Sequence, residues 1–445
     1  MRRLVKVAAA LAACPRGTLP GAFPKWSELK AAYRLLDNPS LTFAKALAPH
    51  GQEVRAACAK PGQFLLIEDT TLLDFSSHRS LKGVGRIGDD GGRGLNLHTT
   101  LAFQMQIRAA HSSAAPALRL LGLAGQQLWV RAPELTRGQN ARRGYEAKKR
   151  KFSRPRESQR WGQVLSEFPA AAPGNQRIYI ADPESDLYEL FERCEKAGCH
   201  FVARACQDRA LLERPDRLFA AVGRGPELGR YTVEMRARPG VPARRATVAL
   251  RSARVTLRSP YRPGGKPIAR PLNVVHAREI NGPEGRPVEW FIPTDLERQS
   301  YEQARRIIQL YTCRWNIEEY HKALKTGAGI EKSQLEERRR VESLLAILSL
   351  VAARLLDLKL EAAQSPSQPL GPEDIPEEAL VILEARLGKP SEGWTKHNLW
   401  IWIARLGGYL ARKADGPPGW QTLWRGLIRL REMTEGAQII QGRCG

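Results

Sequence analysis

The 445-residue chain has room for two to four domains and at least one substantial core. Its 42% apolar and 26% charged residues are the proportions of an ordinary folded protein, not of a disordered or fibrous one. Its 70 Lys and Arg against 46 Asp and Glu leave a net charge of +24. That excess calls for a polyanionic partner: nucleic acid first, an anionic membrane surface second. No apolar run reaches the ~18 residues of a membrane span. The nearest, residues 346–360, is interrupted by Arg354, Asp357 and Lys359.

At the start, Met1-Arg2-Arg3 and an apolar run to Ala13 before Cys14 imitate a short lipoprotein signal. Lys6 interrupts that run, so an amphipathic helix of a first domain is expected instead. Residues 1–60 read as helices broken by the 15–24 stretch, with helical spacing over 26–36. Phe64 to Ile67 is an apolar run too short for a helix. It leads into Glu68-Asp69-Thr70-Thr71. Further strands are expected over 97–104 and over 118–130, the latter with a turn at 122–125. Residues 156–168 read as a helix, 177–181 as a buried strand ending at Asp182, 187–196 as a helix and 200–205 as a strand. Three strands that can pair as a meander, followed by β-α-β alternation, give an α/β mixed sheet with helices on its faces. Residues 207–295 read as a β-rich insertion with strands at 231–235, 247–250, 255–257, 274–277 and 290–292. Helices resume at 296, a linker is expected over 363–373, and the tryptophan-rich remainder reads as helical.

The seven cysteines are odd in number, irregularly spaced and without a C-x-x-C pair. Neither a disulfide framework nor a zinc site is indicated, and a reducing cytoplasm fits. Gly83-Val-Gly85-Arg-Ile-Gly88 matches G-x-G-x-x-G literally, but no helix pattern follows, so a dinucleotide site is rejected. Residues 137–161 hold ten Arg and Lys against Glu146 and Glu157; DNA binding and a solvated basic loop are both open readings.

Asp69 and Asp182 each follow a short apolar strand, where a carboxylate can project into a cleft. Either alone reads more readily as a turn or cap residue. On a helix at 100° per residue, Tyr311, Arg314, Glu318, His321 and Lys325 fall in one stripe about 80° wide. Ile317, Tyr320 and Leu324 face elsewhere and can pack on the core, and Glu319 points away from Glu318. One carboxylate among Tyr, Arg, His and Lys suits a site that holds a metal and grips phosphates. A merely solvated face would more often mix Glu and Lys at four-residue spacing.

The stretch Tyr311-Thr-Cys-Arg314-Trp315-Asn-Ile-Glu318-Glu-Tyr-His321-Lys322-Ala-Leu-Lys325 resembles the Y-R-E-K signature of bacterial DDE transposases of the insertion-sequence-four family, whose best-known member is the transposon-five enzyme. Leu66 to Thr71 resembles that family's first catalytic strand, Ala181-Asp182-Pro-Glu184-Ser-Asp186 the second, and Phe201-Val202-Ala203-Arg204 the strand after it. Ile403 to Gly408 and the tryptophan-rich tail resemble its dimerisation region. The resemblance implies a ribonuclease-H-like core (61–206 and 296–362), a β-rich insertion (207–295), a helical DNA-binding region (1–60) and a helical dimerisation domain (363–445). It implies catalysis by Asp69, Asp182 and Glu318 holding two Mg²⁺ or Mn²⁺ ions, with nicking, hairpin formation and strand transfer at transposon ends. Tyr311, Arg314 and Lys325, then Lys322, Arg204 and His321, would contact DNA. Trp290 matches the position of a tryptophan that stacks a flipped base, worth about 1–3 kcal/mol, and core packing is the equal alternative; Trp315 stands beside the signature Arg. The implied partners are double-stranded transposon-end and target DNA and a second copy of the chain, with no membrane, in a bacterial cytoplasm at the nucleoid. The resemblance begins almost at Met1, where typical members carry a further helical segment. A shortened, non-catalytic inhibitor acting by dimerisation is therefore the rival expectation, and an exported basic lipoprotein a third.

Overall fold

The structure, a computed structural model, describes residues 2–13, 18–106, 116–131, 156–212, 217–235, 242–259, 269–280, 282, 287–372, 374–412, 415–440 and 442. The first helices are α1 (Arg2–Ala13), α2 (Leu19–Ala22), α3 (Trp26–Leu36) and α4 (Phe43–Ala57). Leu29, Ala32 and Leu36 form the buried stripe of α3, as the helical spacing requires.

The centre is a ten-stranded mixed sheet. Its first strands are β1 (Gly62–Asp74), β2 (Gly85–Ile87), β3 (Gly92–Gln106) and β4 (Ala117–Trp129), all antiparallel neighbours. The strand β5 (Asn175–Ala181) joins β1 in parallel, from Gly62 opposite Asn175 to Glu68 opposite Ala181. The helix α5 (Tyr188–Lys196) then crosses over to β6 (His200–Val202), parallel to β5. A core ordered β4-β3-β1-β5-β6, antiparallel on one side and parallel on the other, is ribonuclease-H-like.

Several expectations change here. Residues 122–125 are not a turn: β4 runs through them, and register shifts against β3 at Thr100/Leu101 and Ala102/Phe103 absorb the extra residues. Gly122 carries φ 130° at this irregularity, a value that favours glycine. Residues 156–168 form two short 3₁₀ turns, Glu157–Arg160 and Gln163–Glu167, rather than one helix. Gly85 lies in the hairpin strand β2, so the glycine-rich stretch opens no helix. The basic segment expected at 137–161 falls outside the described residues up to 155.

After a short helix, α6 (Leu218–Gly223), come β7 (Glu227–Met235), β8 (Arg244–Leu257), β9 (Arg270–Ile280) and β10 (Glu289–Thr294). The two strands expected at 247–250 and 255–257 are one, and α6 was not expected. These strands extend the core sheet: Thr294 of β10 pairs with Val202 of β6.

The helices α7 (Tyr301–Thr312), α8 (Trp315–Lys322) and α9 (Arg338–Gln364) cover one face of the sheet; α5 covers the other. Strand alternation divides the core accordingly. Leu65 and Ile67 of β1 and Ile178 and Ile180 of β5 pack with Ile307, Ile317 and Tyr320. Phe64, Leu66 and Tyr179 pack with Trp161 and Phe191. The C-terminal helices are α10 (Glu377–Leu387), α11 (Lys396–Leu406) and α12 (Trp420–Ile440). A Cβ on Gly426 of α12 would stand 1.8 Å from the Ile403 carbonyl of α11, so only glycine permits this approach. Among the described residues no helix is long and apolar enough to cross a membrane.

Candidate active site

Asp69 does not end its strand: β1 continues to Asp74. It does lie where β1 leaves the parallel ladder, one residue beyond the Glu68–Ala181 pair. Asp182 is one residue beyond the same pair on the neighbouring strand. In-register parallel residues share a face, and paired strands lie about 4.8 Å apart. The two aspartates therefore stand side by side on the face that carries Leu65, Ile67, Ile178 and Ile180. Asp182 also caps the 3₁₀ turn Pro183–Ser185, its Oδ1 accepting from the Glu184 N–H at 2.9 Å.

Glu318 comes to this face on α8. Arg314 lies between: its guanidinium is 2.6 Å from Glu318 Oε1 and 3.7 Å from Asp69 Oδ2. Burial, then the charge of Asp182, pushes the Asp69 carboxyl up to about 7. Burial, then the charge of Glu184, raises Asp182 to about 6. Two desolvated carboxylates this close repel, and one arginine offsets only part of that. Their oxygens are the donor set that hard divalent ions prefer. As placed, no three His, Cys, Asp or Glu among the described residues converge closely enough to hold an ion. Glu318 is turned to Arg314.

Residues 153–354 match the family described as transposase DDE domain, and residues 1–41 match the transposase DNA-binding family. The chain carries the domains of a DDE transposase. The first match contains Asp182 and Glu318 but not Asp69, which the sheet register brings beside Asp182.

The other residues singled out in the sequence distribute unevenly. The expected helical stripe is broken twice, by a turn at Cys313–Arg314 and by a π-helical turn, Ala323–Gly327. Cys313 and Arg314 keep right-handed helical angles, so Arg314 still meets Glu318 four residues on, and the π-helical turn shifts only the phase of residues from 323 onward. Lys325 donates to the Leu72 carbonyl at 2.8 Å and pairs with Glu331 at 3.1 Å, tying α8 to β1. His321, expected to face DNA, is buried, its Nε2 without a partner; burial depresses its pKa to about 3. A buried, neutral imidazole does not reach a phosphate. Tyr311 is also buried, its ring 5.3 Å edge-on from Trp290, and Arg204 lies 6.0 Å over that indole. Trp290 is thus half-buried between Tyr311 and Arg204. Trp315 is exposed, with the Arg314 guanidinium 5.2 Å from its ring. Lys322 is exposed and faces Glu319 at 3.2 Å. Glu319 does point away from Glu318: it pairs with Lys359 of α9 and accepts from Trp420 Nε1 at 2.9 Å.

Sequence reasoning missed Glu68. It is fully buried on the opposite face, accepting from Thr100 Oγ1 at 2.6 Å, Gly162 N–H at 2.8 Å and the Tyr179 hydroxyl. His98 Nε2 stands 3.2 Å away, while its Nδ1 meets Thr70 Oγ1 at 2.8 Å. Burial alone would raise the Glu68 pKa; His98, Gly162 and Thr100 overcome that and hold it below the usual carboxylate range. No residue-type pattern marks it, since both faces of β1 are apolar before it. Asp186, within the second acidic motif, is likewise structural: it accepts from the Cys206 and Gln207 N–H groups at 3.0 and 3.1 Å and pairs with Arg209.

Proposed function

We propose that the chain is a cut-and-paste DNA transposase of the insertion-sequence-four type, hydrolysing and rejoining phosphodiester bonds with Asp69, Asp182 and Glu318. The observation that carries the reading is the in-register pair Asp69 and Asp182, both desolvated and both raised in pKa, with Glu318 joined to Asp69 through Arg314. A site this rich in mutually repelling carboxylates is stabilised by added cationic charge. Two Mg²⁺ or Mn²⁺ ions would be held by these three side chains and would supply an activated water or 3′-hydroxyl and a stabilised leaving oxygen. Glu318 must first turn from Arg314, which frees that guanidinium to grip a phosphate.

Exposed Trp315 stands beside Arg314, and half-buried Trp290 and Arg204 adjoin Tyr311; these three are the DNA contacts the geometry favours beside Arg314, while exposed Lys322 pairs with Glu319. Lys325 acts by holding α8 against β1. Hairpin formation at the element's ends, strand transfer into target duplex, synapsis by a second copy through the C-terminal helices and a cytoplasmic, nucleoid-bound location complete the proposal.

The test is 3′-end nicking of a duplex bearing the inverted repeats that flank the gene. Nicking is expected with Mg²⁺ or Mn²⁺, not with a chelator, and should fall at least about a thousandfold in Glu318→Ala, the scale of several kcal/mol of lost charge stabilisation. Nicking that persists in that variant would overturn the assignment. No Glu318-dependent nicking at all would favour a non-catalytic inhibitor that acts by dimerisation.

A further inference from the structure

Arg177 and Tyr179 of β5 point to the sheet face opposite Asp182. There, between β5, α5 and the two 3₁₀ turns, lies a cavity of about 930 Å³. Arg156, Arg160, Arg177, Arg193 and Lys196 line it, and among the described residues no carboxylate does. Part of this charge is used structurally. Arg156 meets Glu189 at 3.3 Å, and Arg193 donates to the Gln159 and Trp161 carbonyls at 2.5 Å. The rest forms no ion pair among the described residues. Arg177 is 5% exposed and donates to the Pro169 and Ala197 carbonyls, yet its Nε has no partner and it makes no ion pair among the described residues. Arg160 lies 3.8 Å over the Trp129 ring, and neither it nor the exposed Lys196 forms an ion pair among the described residues. A buried, unneutralised guanidinium is costly unless an anion joins it.

We propose that this cavity is a second DNA-backbone site, gripping phosphates of a duplex segment other than the one at the carboxylates. The inference rests on the reading of the chain as a DNA enzyme. Three features favour a nucleic-acid backbone over a small anion. The cations line a cavity far larger than one phosphate. Gln127, Gln159, Gln163 and Ser166 add the neutral polar groups that accompany Arg and Lys at DNA backbones. The sequence leading into Arg156 carries eight Arg and Lys between residues 137 and 154 against Glu146 alone, so the charge continues along the chain.

Fluorescence anisotropy of the full chain on a random-sequence duplex tests this across a range of salt concentrations. The variants are Arg160→Gln with Lys196→Gln, and separately Lys196→Glu, whose exposed side chain holds no other described residue in place. The double variant should bind every sequence more weakly and lose about 2 from the slope of log affinity against log salt, one unit per phosphate contact. Glu318→Ala should keep the parent slope. Unchanged slope and affinity in both basic variants, with Glu318-dependent nicking intact, would overturn this site and leave the enzyme reading standing. Loss of nicking and DNA binding together in the parent would remove both. Inorganic phosphate that raises the parent's melting temperature but not the double variant's, with duplex binding unaltered, would assign the cavity to a small anion and overturn the DNA proposal.

Discussion

Glu68 and Asp69 are neighbours on one strand, yet the two faces of β1 treat their carboxylates in opposite ways. Glu68 is sealed among Thr100, Gly162, Tyr179 and His98 and is held below the usual carboxylate range. Asp69 accepts from the Thr70 N–H at 2.7 Å, has Arg314 at 3.7 Å, and is raised to about 7. Both are desolvated. What separates them is whether the protein itself supplies the compensating hydrogen bonds and charge. On one face the fold completes its own polar network; on the other it leaves the network short of positive charge.

Breaking the second half of this contrast should have the largest effect. Asp69→Asn keeps the shape of the side chain and one acceptor oxygen for the Thr70 N–H but removes its charge. Nicking measured with Mg²⁺ is expected to fall by about a thousandfold or more, with the fold retained by circular dichroism; nicking within tenfold of the parent would sink the contrast. Breaking the first half should act on stability instead. Glu68→Ala deprives Thr100, Gly162 and Tyr179 of their common acceptor and should cost about 3–5 kcal/mol, read as a lower denaturant midpoint. A stable Glu68→Ala protein with poor nicking would show that Glu68 serves the reaction.

The smallest effect concerns pH and sharpens the comparison. In the folded chain Asp69 holds its proton up to about 7, whereas its ordinary value is 3.8. Its contribution to stability is therefore full below pH 3.8 and is lost as pH rises through 7. Asp182, raised to about 6, acts in the same direction. Without metal, Asp69→Asn should gain stability relative to the parent as pH rises between these values, by on the order of a few kcal/mol, read as a higher melting temperature. Added Mg²⁺ at pH 8 should raise the parent more than the variant. Parallel melting curves across that range would mean that Asp69 carries no such penalty.

Much of this arrangement is readable from sequence because apolar runs mark strands and helical spacing marks faces. The run ending at Ile67, that ending at Ala181 and the α3 stripe are local signals, and the structure honours them. Ile317, Tyr320 and Glu319 also take the directions that helical phase assigns. What escaped depends on partners distant in the chain. The π-helical turn follows from packing against β1 and α12, and the elements folded against α8 leave His321 inside. The division of labour between Glu68 and Asp69 needs the register of β1 against β3 and β5. The basic cavity assembles from residues spread between 127 and 197, none of them unusual alone.

The joining of β10 to β6 carries a further consequence. Without the segment 207–295, β6 would stand as the rim of the core, offering unpaired N–H and C=O groups to any passing strand. The four added strands move that exposed rim outward to β7, a strand with Arg230 and Glu234 along it. Excising the segment to obtain a minimal nuclease should therefore yield a protein that self-associates, however complete its carboxylates.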